Sequence, residues 1–445
     1  MYFKSLSLLA CATLLTFHVT LKAQIDCAVT STGFIPINDL GTDFFMGYQG
    51  GLYPGGLNTM PPAHRSAGNS IAKKVKPLNE AGLVDYENGK VVFVAFGAST
   101  AGNTFNSFKA TVQDTSGLYN PCIKYINLCV GGKGLESMVP PGNKYYWTYM
   151  SDSVLADAGV TNAQVQIGWM KSASKDDSIP EFPLQPDSIY SKYIRSIQRI
   201  KDTFPNMKVL YLASHAYGGY AGELSDNADL AGEPAAYYGG FAVKWVIEAQ
   251  INGDTRLRYK APGIEAPWLA WAPYYWADGL IPRETDGLTW PCSDYDPVGG
   301  GFHLSEEGKA KEANMLIDFL YNDPLAKKWF RAGAAWTACA LFDRNANGAV
   351  ISHGPGNTNL NPDDVLIYPS PNTGNFYVSF YNANEQTCTV SIVNAQGQRI
   401  YTSTNTYAPG DVSLHIQLGD IPSGIYYTVI DRQDVQLEKA FIVND

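Results

Sequence analysis

Four short apolar runs constrain the fold of this 445-residue chain more than any other feature. They are Val91 to Phe96, Lys124 to Val130, Ala163 to Gly168 and Lys208 to Ala213. Each is nearly continuous, where a half-exposed strand would alternate. Polar, helix-compatible stretches separate several of them, notably Pro186 to Thr203. Strands that are apolar on both sides belong in a parallel sheet covered by helices on both faces. Ligands of such sheets bind beyond the C-terminal strand ends. Here those ends are Gly97-Ala98-Ser99, Gly131-Gly132-Lys133, Trp169-Met170-Lys171 and Ser214-His215-Ala216, which are expected to line one crevice.

A break in composition divides the chain. All nine Trp residues lie between Trp147 and Trp336. Residues 336–364, rich in Asn, Gly, Pro and Asp, read as a linker. Within it, Asp343, Asn345, Asn347 and Gly348 have the look of a calcium-loop start, but Gly354 stands where a bidentate Glu would close the loop, so an Asn-rich turn is the reading taken. Beyond it, Phe376 to Phe380, Thr389 to Val393 and Ile425 to Val429 alternate between turn residues, the pattern of a small antiparallel β-sandwich.

The first 23 residues combine Lys4, an apolar core from Leu6 to Val19 and a small Ala23, which predicts a secretory signal peptide cut between Ala23 and Gln24. No later segment carries about 18 unbroken apolar residues, so no membrane span is expected in the mature chain. The net charge of -10 opposes a nucleic-acid binder, which needs a basic face. Of seven Cys, Cys11 leaves with the signal; export permits disulfides among the other six, and the spacings leave their pairing open and show no paired CxxC metal site.

A serine nucleophile needs a base, something to orient that base, and donors for the developing oxyanion. Ser99 at a strand end suits the first role, and its own N–H would serve as one oxyanion donor. His303 has the most convincing setting for the base. It precedes Ser305, which reads as the N-cap of a helix to about Tyr321 with Ala310, Ala313, Leu316 and Phe319 or Leu320 on its buried face.

The blocks Phe96-Gly97-Ala98-Ser99, Asn127 to Lys133, Val165 to Gly168 and Gly301 to Gly308 resemble, in order, those of the SGNH (GDSL-like) hydrolases. The resemblance spans roughly residues 90–320. It implies a flavodoxin-like three-layer parallel sheet and cleavage of esters, often acetyl groups on polysaccharides, without a metal or organic cofactor. Ser99 matches the nucleophile, Gly132 an oxyanion-hole glycine and His303 the base. Three positions depart from the pattern. Ala98 replaces an Asp, and Met170 stands at the oxyanion Asn and cannot donate; Lys171 is the candidate substitute. Gly300 occupies the position of the Asp that would orient His303. Asp296 is taken as the orienting residue, with Asp294 or a backbone carbonyl as alternatives.

The tail from about Val365 resembles the C-terminal sorting domain of type IX secretion. The matching residues are Tyr368 to Gly374, Val393 to Gln398, Ile421 to Tyr427 and Lys439 to Val443. The resemblance implies handling by the type IX machinery and release or surface attachment. The stretch Ala266 to Gly279 adds three Trp and two Tyr, suited to stacking on sugar rings. Trp169, Trp276, Asp278 and His215 are therefore taken as substrate contacts. The chain is read as a signal peptide (1–23), a hydrolase-like domain with an N-terminal extension (24–335), a linker (336–364) and a sorting domain (365–445). The expected function is a secreted esterase acting on a carbohydrate ester. The alternative is a non-catalytic glycan binder on a degenerate SGNH scaffold.

Overall fold

The computed structural model describes residues 25–86, 88–114, 117–139, 144–175, 181–221, 231–333, 336, 343–344, 350–351, 365–368, 372, 374–419, 421–432 and 436–443. The expected signal peptide, the calcium-loop residues Asn345, Asn347, Gly348 and Gly354, and most of the expected linker lie outside them.

All four apolar runs contain a strand, and a fifth joins them. β1 (Val91–Gly97), β2 (Ile123–Asn127), β3 (Val165–Lys171), β4 (Val209–Leu212) and β5 (Trp268–Trp271) form one parallel sheet in the order β2-β1-β3-β4-β5. Every residue of β1, β3, β4 and β5 is buried, which is why their sequences do not alternate. β5 comes from the aromatic Ala266 to Gly279 stretch, so part of that stretch is sheet core.

The helices that position the site are α1 (Pro62–Ala72), α2 (Ser99–Asp114), α3 (Leu184–Thr203), α4 (Ala235–Ile251) and α5 (Glu306–Asn322). α2 packs on α5, and α3 packs on α4. The chain steps one way from β1 to β2 and the other way from β3 to β4 and β5. Right-handed crossovers then put α2 on one face and α3 and α4 on the other. The reversal falls between β1 and β3, where the departing helices diverge and leave a crevice above the strand ends. Below it, Phe93 of β1 meets the rings of Phe105, Phe108 and Trp329 edge-on, all fully buried. Each buried Phe contributes about 1.5–3 kcal/mol.

The N-terminal segment is tied across this domain by a Cys27–Cys292 disulfide, and Cys122 is also disulfide-bonded. Farther on, β6 (Val365–Tyr368), β7 (Asn375–Asn382), β8 (Gln386–Asn394), β9 (Arg399–Tyr407), β10 (Gly410–Gln417), β11 (Gly424–Asp431) and β12 (Gln436–Val443) form two antiparallel sheets, β6-β7-β10 and β9-β8-β11-β12. Phe376, Val378, Phe380, Val390, Ile392, Ile430 and Phe441 form its separate core.

Candidate active site

β1 ends at Gly97 and α2 begins at Ser99, so Ser99 stands at a strand-to-helix joint beside the crevice. Gly97 makes the joint. Its φ is 145°, and a Cβ there would sit 2.1 Å from the Lys171 carbonyl oxygen of β3. As the first residue of α2, Ser99 has a backbone N–H with no intrahelical acceptor, at the positive end of the helix.

His303 arrives from the other side. Ser305 caps α5 by accepting from the Gly308 N–H at 3.3 Å, and the apolar face of α5 (Ala313, Leu316, Leu320) is buried as the sequence predicts. Gly301, at φ 77°, lets the loop lie against Tyr220: a Cβ there would be 1.9 Å from the Tyr220 carbonyl oxygen. The result brings Ser99 Oγ within 2.8 Å of His303 Nε2. The other ring nitrogen, Nδ1, lies 3.1 Å from the Gly299 carbonyl oxygen. A carbonyl only accepts, so Nδ1 carries the hydrogen and Nε2 presents its lone pair to the Ser99 hydroxyl.

Both residues line a cavity of about 240 Å³, together with Gly132, Lys171, Ser172, His215 and Phe302. Gly132 adopts φ 71° and contributes only backbone. Beneath, Lys171 Nζ is paired with Glu312 and donates to Thr104 Oγ1 at 3.2 Å. Thr104 also donates to Glu312, whose other oxygen, Oε1, has no partner among the described residues. Burial first, and the Lys171 charge second, push the His215 pKa down to about 3, so this imidazole is neutral. Its Nε2 is buried without a partner among the described residues.

Ser99, Gly132, His303 and His215 thus converge as expected; five other readings are corrected. Asp296 does not orient His303. Its carboxylate accepts the Val298 N–H at 3.0 Å, and only its backbone N–H bonds to the His303 carbonyl. Asp294 pairs with Lys311 at 2.7 Å. Lys171 reaches the cavity, but Glu312 neutralises it, so it is no free charged donor. Trp169 is fully buried and stacks on Phe105 in the core. Trp276 is also buried, and its Nε1 donates to Glu233 at 2.7 Å. Asp278 latches the N-terminal segment, accepting the N–H groups of Thr32 at 2.6 Å and Gly33 at 3.0 Å and the Thr32 hydroxyl at 2.8 Å. None of these last three lines the cavity.

Sequence reasoning missed Glu312, and although it allowed a backbone carbonyl behind His303 it did not identify that of Gly299. Glu312 left a trace: four residues after Gly308 and four before Leu316, it is a carboxylate on the apolar stripe of α5. A carbonyl leaves none.

Residues 366–444 match the family "Secretion system C-terminal sorting domain". This tail is a sorting domain. The sorting domain routes the chain through type IX secretion to the cell surface or extracellular space. Among the described residues, no helix is long and apolar enough to cross a membrane, and no His, Cys, Asp or Glu group is arranged to hold a metal. No curated protein matches the chain. Among solved structures it is similar to a β-glucosidase from Listeria innocua in complex with isofagomine, at 9% identity over 86% of this chain and 50% of that one, with a TM-score of 0.18. An endo-β-1,4-mannanase double mutant from Cellulomonas fimi aligns at 14% identity over 73% of this chain and 54% of that one, TM-score 0.18. An engineered protein aligns at 12% identity over 92% and 98%, TM-score 0.23. The chain spans about half the length of the glucosidase and the mannanase. Overlap this low carries no argument about fold or activity.

Proposed function

We propose that this is an exported serine esterase of the SGNH type, hydrolysing acyl esters, acetyl foremost, on carbohydrate. The observation that carries the reading is the 2.8 Å approach of Ser99 Oγ to His303 Nε2, with Nδ1 held by the Gly299 carbonyl. The strand order β2-β1-β3-β4-β5 and the motif order along the sequence support it. In this reading residues 24–335 are the hydrolase and 336–364 the linker to the sorting domain.

Ser99 attacks the ester carbonyl while Nε2 takes the hydroxyl proton. The N–H groups of Ser99 and Gly132 receive the oxyanion. Nε2 then protonates the departing sugar hydroxyl, and water, activated by the same nitrogen, releases the acyl group from Ser99. The Gly299 carbonyl fixes ring and tautomer but brings no full negative charge, so it stabilises the imidazolium less than a carboxylate would. A missing oxyanion donor costs about 10²–10³ in kcat. Neither residue singled out for that role is free to fill it, since Met170 is buried and Lys171 is paired with Glu312.

That shortfall favours the second reading, a glycan-binding protein without turnover. Acetate release from acetylated plant and algal polysaccharides decides between them. Release by the wild type and its loss in Ser99→Ala is the expected result. No release, from glycans or a small activated acetate ester, would leave the binding reading.

A further inference from the structure

The base sits on an irregular turn. His303 lies between the helical turn Cys292–Asp294 and the start of α5, and Pro297 and Val298 between them are exposed. Bonds inside the turn set its shape. The Asp296 N–H donates to the His303 carbonyl at 3.0 Å, the Gly299 N–H to the Asp296 carbonyl at 2.9 Å and the Ser305 N–H to the Asp294 carbonyl at 2.9 Å. Such local bonds do not fix where the turn lies relative to Ser99. α5 anchors one end of it. The other end is Cys292, which is joined to Cys27.

Residues 26–33 form a strap that ties together the loops around the crevice. The Asp26 N–H donates to the Tyr220 carbonyl at 3.0 Å, and this is the carbonyl against which Gly301 lies. The Tyr220 hydroxyl donates to the Trp290 carbonyl at 2.7 Å, just before Cys292. Tyr217, which lines the crevice, donates from its hydroxyl to the Val29 carbonyl at 3.0 Å, and its own carbonyl accepts from the Tyr295 hydroxyl in the His303 turn. Farther along the strap, the Leu280 N–H donates to the Thr30 carbonyl at 2.9 Å, and Asp278 holds Ser31, Thr32 and Gly33. Of these links, the disulfide alone runs directly from the strap to the His303 turn.

We infer that the Cys27–Cys292 disulfide positions His303, so that the Ser99–His303 dyad is complete only in the oxidised, exported chain; the effect on rate rests on the esterase reading above. Cys27 and Cys292 are positioning residues, acting through the turn. A catalytic group has to be held within about 0.5 Å, and a displacement of about 1 Å costs about 10² in rate. Ser99 stands at the joint of β1 and α2, so a shift of the turn alone changes its distance to Nε2. Disulfides persist in the oxidising space to which the sorting domain sends the chain and are rare in a reducing cytoplasm. Closing the bond takes two protons and two electrons from the thiols; a disulfide of the glutathione class accepts them and leaves as two thiols. A link that only stabilises the fold is the competing outcome.

The test uses the full-length protein in three forms: oxidised wild type, wild type opened by brief reduction, and Cys27→Ser/Cys292→Ser. Cys27 is exposed and Cys122 only 1% exposed, so brief reduction of the folded chain opens the Cys27 bond first, which mass spectrometry of the alkylated thiols verifies. Hydrogen exchange across residues 293–304 and within α5 is followed together with hydrolysis of a small activated acetate ester. The temperature is one at which circular dichroism shows the opened forms folded. The expected result is exchange about 10-fold or more faster in 293–304, with α5 unchanged. In parallel, kcat should fall about 10–10²-fold with KM within about 3-fold. Reoxidising the reduced chain with glutathione disulfide should restore both. Exchange in 293–304 that stays at the oxidised rate in a folded, opened form overturns the proposal, as does an undiminished kcat. A link that only stabilises the fold would lower Tm and leave both readouts at their oxidised values. If the double variant does not fold, the reduced wild type carries the test. If the oxidised protein itself hydrolyses no ester, the esterase reading fails and the exchange of 293–304 alone decides whether the disulfide holds the turn.

Discussion

Replacing Lys171 by Met tests the buried ion pair beneath the site. The Lys171 and Glu312 side chains are 2% and 0% exposed, so solvent screens neither. Removing the ammonium strands a carboxylate that already has one unpartnered oxygen and keeps only the Thr104 hydroxyl. Leaving one charge of a buried pair alone costs about 3–5 kcal/mol. For a domain of this size each kcal/mol moves Tm by about 2–4 °C, so a loss of about 10 °C is expected. Replacing both, as Lys171→Met with Glu312→Leu, removes the desolvation penalty with the attraction and should return stability to within about 1 kcal/mol of wild type. Urea unfolding followed by Trp fluorescence is the right assay, because every Trp lies at or before Trp336 and reports no unfolding of the sorting domain. The coupling energy comes from the complete cycle of single and double variants. Singles costing under about 1 kcal/mol, or a double costing their sum, would refute the reasoning. If esterase activity also falls by about 10² or more in a stable double variant, Lys171 does contribute an oxyanion donor.

Asp296→Ala should leave kcat/KM within about 3-fold, because the Gly299 carbonyl holds His303; a loss of 10³ or more would restore a carboxylate to the triad. Glu233 gives a pH dependence. Burial, with Asp278 adding to it, lifts its pKa from 4.5 to about 7 against hydrogen bonds from Gly218, Trp276 and Tyr237. The fold therefore favours the protonated form: this stabilisation is full below about pH 4.5 and is lost as pH rises toward and through 7, by at most ~1.4 kcal/mol per unit. Unfolding free energies of wild type minus Glu233→Gln should fall over that window, and a flat difference would contradict the assignment. Replacing Cys27 and Cys292 by Ser opens a link across 265 residues and should cost about 2–5 kcal/mol in chemical denaturation.

Features that depend on local periodicity were legible before folding was considered. Val91 to Phe96 could be read as a strand buried on both faces because no polar residue interrupts it. Ser305 could be read as a cap because the residues after it repeat at helical spacing. The tail was legible because its turn motifs recur in fixed order. Ser99 and His303 were legible because each sits at the end of such an element. Tertiary structure decided everything that depends on which distant groups share a space. Lys171 and Glu312 lie 141 positions apart, and only the packing of α5 over the strand ends makes them a pair. Trp169 and Trp276 looked like sugar platforms, yet large aromatics gain most from burial, and the core took them. Asp278 carried a charge that the chain used to latch its own N-terminal segment. For His303 the sequence left Asp296, Asp294 and a backbone carbonyl open; the turn through Gly299 and Gly301 brings the Gly299 carbonyl to Nδ1. Backbone carbonyls are present at every residue, so composition and spacing carry no sign of which one a fold will aim.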